Sequence, residues 1–372
     1  MTRTALLPVV LVFWLNLSVI PGEAFGQVAG VVQSDGEPVS GALVFVSGTT
    51  ASTESAEDGS FELPGSGLAW FDVAAWHPDA GFGFAQFEPG VTESVSISLE
   101  DVYAAADSDR AESDVDLDYF RDVAFAWTGA SGKVEIENPD ALIVRRGAEE
   151  GVVSAAATAP VRLSNPELGY EIEIHAFRLD GSPIAMEWSG YPLFSEMTPE
   201  RDRDARNWDR ARSRTFEGSR RHFLHALAIG RLEQEEFEAF HVQGPGSASE
   251  LNPVAEMGET GFGMGEIDPV MRDGQTDATR QLMFQGWLYV NYYGRGENRY
   301  TRYVDRYFPS SDLKELVMTV NRSWIRLPYG VVTIDTKGTV LPDPSSGGIQ
   351  TFGYWTFKRL ADLLPYDYLP ED

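Results

Sequence analysis

Gly36-Glu37-Pro38-Val39-Ser40-Gly41-Ala42-Leu43-Val44-Phe45-Val46, followed by Asp58-Gly59-Ser60-Phe61, is the stretch that decides the fold. Gly36 and the Asp58-Gly59 pair supply the backbone freedom of tight turns. Between them Leu43 and Phe45 face one way and Val44 and Val46 the other, as on a strand. Working outward, Val28-Ala29-Gly30-Val31-Val32 precedes the stretch. Val95-Ser96-Ile97-Ser98-Leu99 follows it and alternates apolar with hydroxyl residues, the pattern of a half-buried strand. Short strands separated by turns at close intervals predict a β-sandwich over residues 27–100.

The residues also carry a resemblance. Gly30-Val31-Val32, Pro38-Val39-Ser40-Gly41-Ala42, Val44-Phe45-Val46, Gly48-Thr49-Thr50 and Asp58-Gly59-Ser60-Phe61 resemble the successive signatures of carboxypeptidase regulatory-like domains. The resemblance implies a transthyretin-like sandwich, an accessory domain in metallocarboxypeptidases and an amino-terminal domain in many envelope proteins. It implies export and interaction, and no activity.

Before this region, residues 1–26 have the build of a cleavable secretory signal. Arg3 gives a short positive start, Ala5 to Ile20 are largely apolar, Pro21-Gly22 breaks the run, and Ala24-Phe25-Gly26 places small residues at the cleavage site. Export to the periplasm, the outer-membrane periphery or the cell surface is the expectation. The chain contains no cysteine, which excludes disulfides, thiolate metal sites and a lipid-bearing amino-terminal cysteine. No later segment has the length and apolar character of a spanning helix, and the chain is short for a large transporter barrel beside a first domain. Lys and Arg number 29 against 57 acidic residues, a net charge of −28 that argues against nucleic acid as a partner.

Residues 101–118 shift to acidic composition around Arg110 and read as a solvated linker. Residues 119–372 read as a second, β-rich α+β module. Val134 to Glu137 and Tyr170 to His175 alternate as strands, and strands return at Gln281 to Tyr293 and Trp324 to Asp335. Helices are expected near 199–230, the first capped by Thr198 with Pro199 at its first position, the second running from Arg220 until Gly230 closes it. Gly244 to Gly274 reads as a long irregular loop, and a last amphipathic helix covers 354–364. Asn165-Pro166-Glu167-Leu168-Gly169-Tyr170, Gly218 to Leu227, Gly353-Tyr354-Trp355 and Arg359 to Tyr368 are similar to segments of exported bacterial proteins that join a regulatory-like domain to one such module. That resemblance transfers no chemistry.

No catalytic apparatus is legible. Zinc carboxypeptidase chemistry needs a His-x-x-Glu pair, and none of His77, His175, His222, His225 or His241 begins one. His222 and His225 lie three apart on a helix, a spacing that packing and capping explain better than a metal. There is no Gly-x-Ser-x-Gly elbow and no thiol, and Gly129 to Lys133 reads as a hairpin turn. No cofactor is implied.

Two features stand out. From Arg201 to Arg221 eight arginines face four acidic residues, a local balance of +4 in an acidic protein. Arg206, Arg210, Arg214 and Arg221 are candidates to dock an anionic partner, since guanidinium reads carboxylate and phosphate through paired bonds. The plainer reading is an exposed helix laced with ion pairs such as Asp202–Arg206 and Arg206–Asp209. Trp287, Tyr289 and Tyr292 are candidates for a sugar-stacking platform, or else half-buried packing. The leading expectation is a non-enzymatic interaction protein of the bacterial envelope whose partner is an envelope protein or polysaccharide. A carbohydrate-binding module is the alternative, followed by a hydrolase whose carboxylates the sequence does not single out.

Overall fold

Alternation along the first hundred residues builds two packed sheets in the computed structural model, which describes residues 27–104, 117–125, 133–147, 152–182, 185–242, 264–265, 270–294, 321–341 and 348–370. One sheet holds β1 (Val28–Ser34), β2 (Glu37–Pro38), β5 (Ser60–Leu63) and β8 (Val95–Ser98), with β8 parallel to β1 and β5 antiparallel to it. The other runs β4 (Ser52–Glu54), β3 (Leu43–Val46), β6 (Phe71–His77), β7 (Gly81–Phe87). Val44, Val46, Val73 and Ala75 point between the sheets with Val28, Phe61, Leu63 and Ile97, and form the sandwich core. Gly30 has no Cβ because the Phe61 ring and the Val95 carbonyl occupy that space. The expected leader, residues 1–26, lies outside the described residues, and so does most of the acidic stretch.

The second module is built on a six-stranded antiparallel sheet of β9 (Glu135–Ile136), β10 (Leu142–Arg146), β11 (Val153–Ala157), β12 (Val161–Asn165), β13 (Tyr170–Ser182) and β14 (Ala185–Glu196). β13 pairs β12 through its first half and β11 through its second, and β14 lines its other edge. A register shift between His175 and Arg178, with Ala176 at φ 51°, separates the halves. Such a bulge re-aims side chains, so Ile172 and Ile174 before it and Phe177 and Leu179 after it all reach one core.

Helices α1 (Leu117–Phe125) and α2 (Asp202–Phe216) pack on this framework, and α3 (Arg220–Ala228) packs in the core of the strands that follow. α1 was not expected: it starts inside the predicted linker and buries Phe120, Val123, Ala124 and Phe125. α2 begins at Asp202, with Arg201 as its cap residue, rather than at Pro199. Asp202 and Asp204 in its first turn suit the positive helix end, and Arg201 forks onto the Asp204 carboxylate at 3.1 and 3.2 Å. α3 is capped as expected, with the Ser219 hydroxyl accepting from the His222 amide and Gly230 closing at φ 69°.

The remaining strands form two further sheets. One runs β16 (Met264–Gly265), β15 (Phe237–Val242), β19 (Trp287–Tyr292), β20 (Ser323–Arg326), β23 (Gln350–Gly353). The other runs β17 (Met271–Asp273), β18 (Thr279–Met283), β21 (Val331–Asp335), β22 (Val340–Leu341). The predicted strand 281–293 is therefore two, divided at Gly286 (φ 84°) into different sheets, and 324–335 divides at Pro328 to Gly330. Part of the expected loop at 244–274 is strand. The expected terminal helix is instead two 3-10 turns, Tyr354–Phe357 and Leu360–Asp362, because the side chains between them turn back into the module, Lys358 to α2 and Arg359 to the Val123 carbonyl of α1. The protein is mainly β with a helical insertion.

The sandwich does not hang free. The outer face of its second sheet, Leu43, Phe45, Ala74, Trp76 and Phe82, packs with Tyr103, Tyr191 and Leu193. His175, fully buried, enters this seam with its ring centroid 4.9 Å from Phe45, 5.5 Å from Trp76 and 5.7 Å from Phe82. Its Nε2 lies 2.8 Å from the Glu173 carboxylate, but the approach is off-axis and neither ring nitrogen makes a hydrogen bond. Tyr103, expected in a solvated linker, is buried here, and its hydroxyl accepts from the Ala176 amide.

Candidate partner-docking surface

The inner face of α2 explains why its outer face is so regular. Trp208, Ala211, Arg212, Thr215 and Phe216 recur at helical spacing and turn toward the module, the last four fully or nearly buried. The Trp208 indole donates to the Pro166 carbonyl at 3.0 Å and lies against Gly169, where a Cβ would sit 2.3 Å from the ring. Gly169 is at φ 69°, so both space and backbone require glycine. Arg212 lies 3.9 Å over the Tyr170 ring and donates to the Leu168 and Gly169 carbonyls at 2.8 and 3.2 Å, with Glu196 at 2.9 Å. Burial pushes the Tyr170 phenol well above its ordinary range, against the pull of Arg212.

At its far end the helix is held by one cation, Lys358, and the turn that follows it by the Trp355 indole. Lys358 Nζ donates to the Thr215 carbonyl at 2.6 Å, and the Trp355 indole donates to the Gly218 carbonyl at 2.8 Å. Cations at a helix carboxyl end oppose its negative pole. α2 is thus fixed along its whole length.

What the fixed helix presents outward is an arginine row. Arg203, Arg206, Arg210 and Arg214 are exposed, and Arg206 to Arg214 span about 12 Å along the axis at 1.5 Å per residue. Among the described residues none of the four forms an ion pair, although Asp202 and Asp209 stand on the same helix; Arg214 Nε donates only to the Arg210 carbonyl. The ion-pair lacing expected from Asp202–Arg206 and Arg206–Asp209 does not form. The acidic residue that does pair, Asp204, is taken by Arg201.

Arg221 does not belong to this row. Its guanidinium turns inward and donates to the carbonyls of Lys337, Pro365, Tyr366 and Tyr368. Burial lowers it to about 10, partly offset by Asp335. Arg203, which the sequence reading did not single out, takes its place on the surface; its three-residue spacing to Arg206 was the available signal.

The aromatic platform is likewise corrected. Trp287 and Tyr292 are 4% and 6% exposed and belong to the core shared by the last two sheets and α3. Tyr289 is half-buried between Trp324 and Arg322, whose guanidinium lies 4.5 Å over its ring. Along β19 every residue but the half-buried Tyr289 is buried, so the three aromatics do not form an open platform.

His222 and His225 are also committed to structure. The Gly218 amide donates to His222 Nδ1, so Nε2 carries the proton and donates to Glu235 at 3.0 Å. Burial among Phe216, Phe237 and Tyr292 lowers the His222 pKa, with Glu235 opposing. His225 Nδ1 bonds the Thr336 carbonyl. Asp335, a buried carboxyl raised by desolvation, caps its own turn by accepting from the Lys337 and Thr339 amides.

Four sequence segments quoted for the module meet around α2 and α3. Asn165 donates to the Ala361 carbonyl, Arg212 holds Leu168 and Gly169, Trp355 holds Gly218, and Arg221 holds 365–368. They frame the helices rather than form a reaction centre. No helix among the described residues is long and apolar enough to cross a membrane. Compared with known protein families and with curated proteins, the sequence matches none.

Proposed function

We propose that the protein is an exported, non-enzymatic interaction protein of the bacterial envelope that docks an anionic envelope polymer through the arginine row of α2. The observation that carries this reading is the row itself: four exposed guanidinium groups, free of ion pairs among the described residues, on a helix fixed along its inner face. In a protein of charge −28 such a row is a local inversion of sign, and evenly spaced guanidinium groups suit a chain of carboxylates or phosphates. The leader-like first 26 residues and the resemblance of the sandwich to regulatory-like domains support export and an accessory role. The sandwich would be a transthyretin-like domain on this reading.

The test is retention of the mature protein on its native envelope over a salt titration, parent against Arg206→Gln/Arg210→Gln/Arg214→Gln. Loss of charge pairing should release the variant at much lower salt, because exposed pairs are screened within a Debye length of about 8–10 Å near 0.1–0.15 M. Equal retention of the two proteins across the titration would end this reading. Capture of only acidic proteins, with no polysaccharide, would replace the polymer by a protein partner.

A further inference from the structure

The loop Gly48-Thr49-Thr50, between β3 and β4, lies between two other segments as if it were a strand. On one side the Gly48 amide donates to the Pro192 carbonyl at 2.6 Å, the Phe194 amide donates to Thr49 at 3.0 Å, and Thr49 bridges Leu193 in parallel. On the other side the Tyr366 amide donates to the Gly48 carbonyl at 2.7 Å, and Asp367 Oδ2 accepts from the Thr50 amide and hydroxyl at 3.1 and 2.7 Å. The Tyr366 ring lies so close over Gly48 that a Cβ there would sit 2.0 Å from it, and Gly48 is at φ 77°. The tail is in turn held from the module by Arg221, through the carbonyls of Pro365, Tyr366 and Tyr368. Lys337 adds a bond from the module to the Ser66 carbonyl of the sandwich at 3.3 Å.

We propose that the segment Pro365–Tyr368 is a releasable clasp that keeps the sandwich closed on the module and its aromatic outer face covered. The clasp and the seam are built differently. The seam is apolar, with Phe45, Ala74, Phe82 and Leu193 buried around an imidazole that makes no hydrogen bond. The clasp is polar and half-exposed, so its bonds open locally at less cost than the buried seam. It also holds an imperfectly satisfied group: Asp367 Oδ1 is buried without a hydrogen bond. Such a group lowers the free energy needed to open the clasp. Release of residues 365–368 removes one of the two flanks of the Gly48–Thr50 loop, leaving the other flank, the Lys337 bond and the seam to hold the sandwich. The opened state exposes Phe45, Trp76 and Phe82 together, a surface that stays hidden while the clasp is shut. This device stands independently of the arginine row.

The absence of cysteine makes the test clean. Ala74 and Ala226, both fully buried, lie in the seam and in the module core. Single cysteines, Ala74→Cys or Ala226→Cys, are introduced into the full mature chain, and their labelling by a water-soluble disulfide reagent is timed. Each background is compared with and without Thr50→Val/Asp367→Ala, which removes the bonds of Asp367 to both the amide and the hydroxyl of Thr50. The clasp predicts labelling at position 74 about tenfold faster in the double variant, with position 226 unchanged; tenfold is the loss of about 1.4 kcal/mol, near one hydrogen bond. Unchanged labelling at 74, or equal acceleration at both positions, overturns the proposal.

Discussion

Arg212 and Arg210 stand two residues apart on one helix and should respond to mutation in opposite ways. Replacing Arg212 by leucine removes two charge-assisted bonds to the Leu168 and Gly169 carbonyls, which are then left inside the protein. Each is worth roughly 1.5–3 kcal/mol. The guanidinium over Tyr170 adds about 1–2 kcal/mol in this desolvated setting. Glu196, with 60% of its side chain exposed, adds little. The gross sum, about 4–8 kcal/mol, is reduced because leucine no longer has to desolvate a charge, and a net loss of about 3–5 kcal/mol is expected. For a chain of this size that lowers the thermal midpoint on the order of 10 °C. Arg210→Leu, on the exposed side, should change stability by no more than about 0.5 kcal/mol. Thermal and urea unfolding followed by circular dichroism would measure both. The Arg212 effect should persist from low to high salt, since buried bonds are weakly screened. A loss below about 1 kcal/mol at Arg212, or equal losses at the two sites, would refute the assignment of inner and outer faces.

His175→Phe should leave stability unchanged or raise it by about 1 kcal/mol, because a phenyl ring fills the same aromatic seam without two unbonded nitrogens; a thermal midpoint lowered by more than about 5 °C would show that the imidazole is bonded after all. Asp335→Asn should flatten the pH dependence of stability. Burial raises the Asp335 carboxyl above 3.8 in the folded protein, so its contribution is fully present below that value and is lost as pH rises through the raised one. The asparagine keeps an acceptor for the Lys337 and Thr339 amides and does not ionise. Urea midpoints between pH 4 and 7 should therefore favour the variant increasingly with pH; a variant that loses ground toward pH 7 would show that attraction to Arg221 outweighs burial.

The sandwich was legible because its determinants are local. Strand alternation at Leu43 to Val46 and the Asp58-Gly59 turn each act within a few residues, and even the two faces separated correctly. Val44 and Val46 enter the sandwich core, and Leu43 and Phe45 meet the module. The Ser219 cap and Gly230 stop of α3 are local too. α1 was missed because acidic residues at its start disguised the buried run Phe120 to Phe125. The terminal helix failed for a different reason: Lys358 bonds the end of α2 and Trp355 the turn after it, each across more than a hundred residues, and that demand breaks the helix into turns.

The candidate surface was half legible. Arg206, Arg210 and Arg214 repeat every four residues, which places them on one side of any helix. Nothing local distinguishes Arg221, whose acceptors are main-chain carbonyls up to 147 positions away. The burial of Trp287 and Tyr292 likewise depends on α3 and on a second sheet folding over β19.

The inward-turned cations have a consequence for how the molecule meets its surroundings. Arg212, Arg221, Lys358 and Arg359 all bond main-chain carbonyls. Positive charge spent on peptide oxygens is withdrawn from the exterior, although Arg212 also reaches the Glu196 carboxylate. Fewer cations are then left beside the exposed carboxylates of a protein of charge −28, which disfavours the approach of other acidic bodies. Against that background, on the docking proposed above, the α2 row would act as a gate of orientation: an acidic polymer would be drawn to a line of about 12 Å (about eight residues of helix) and would arrive aligned.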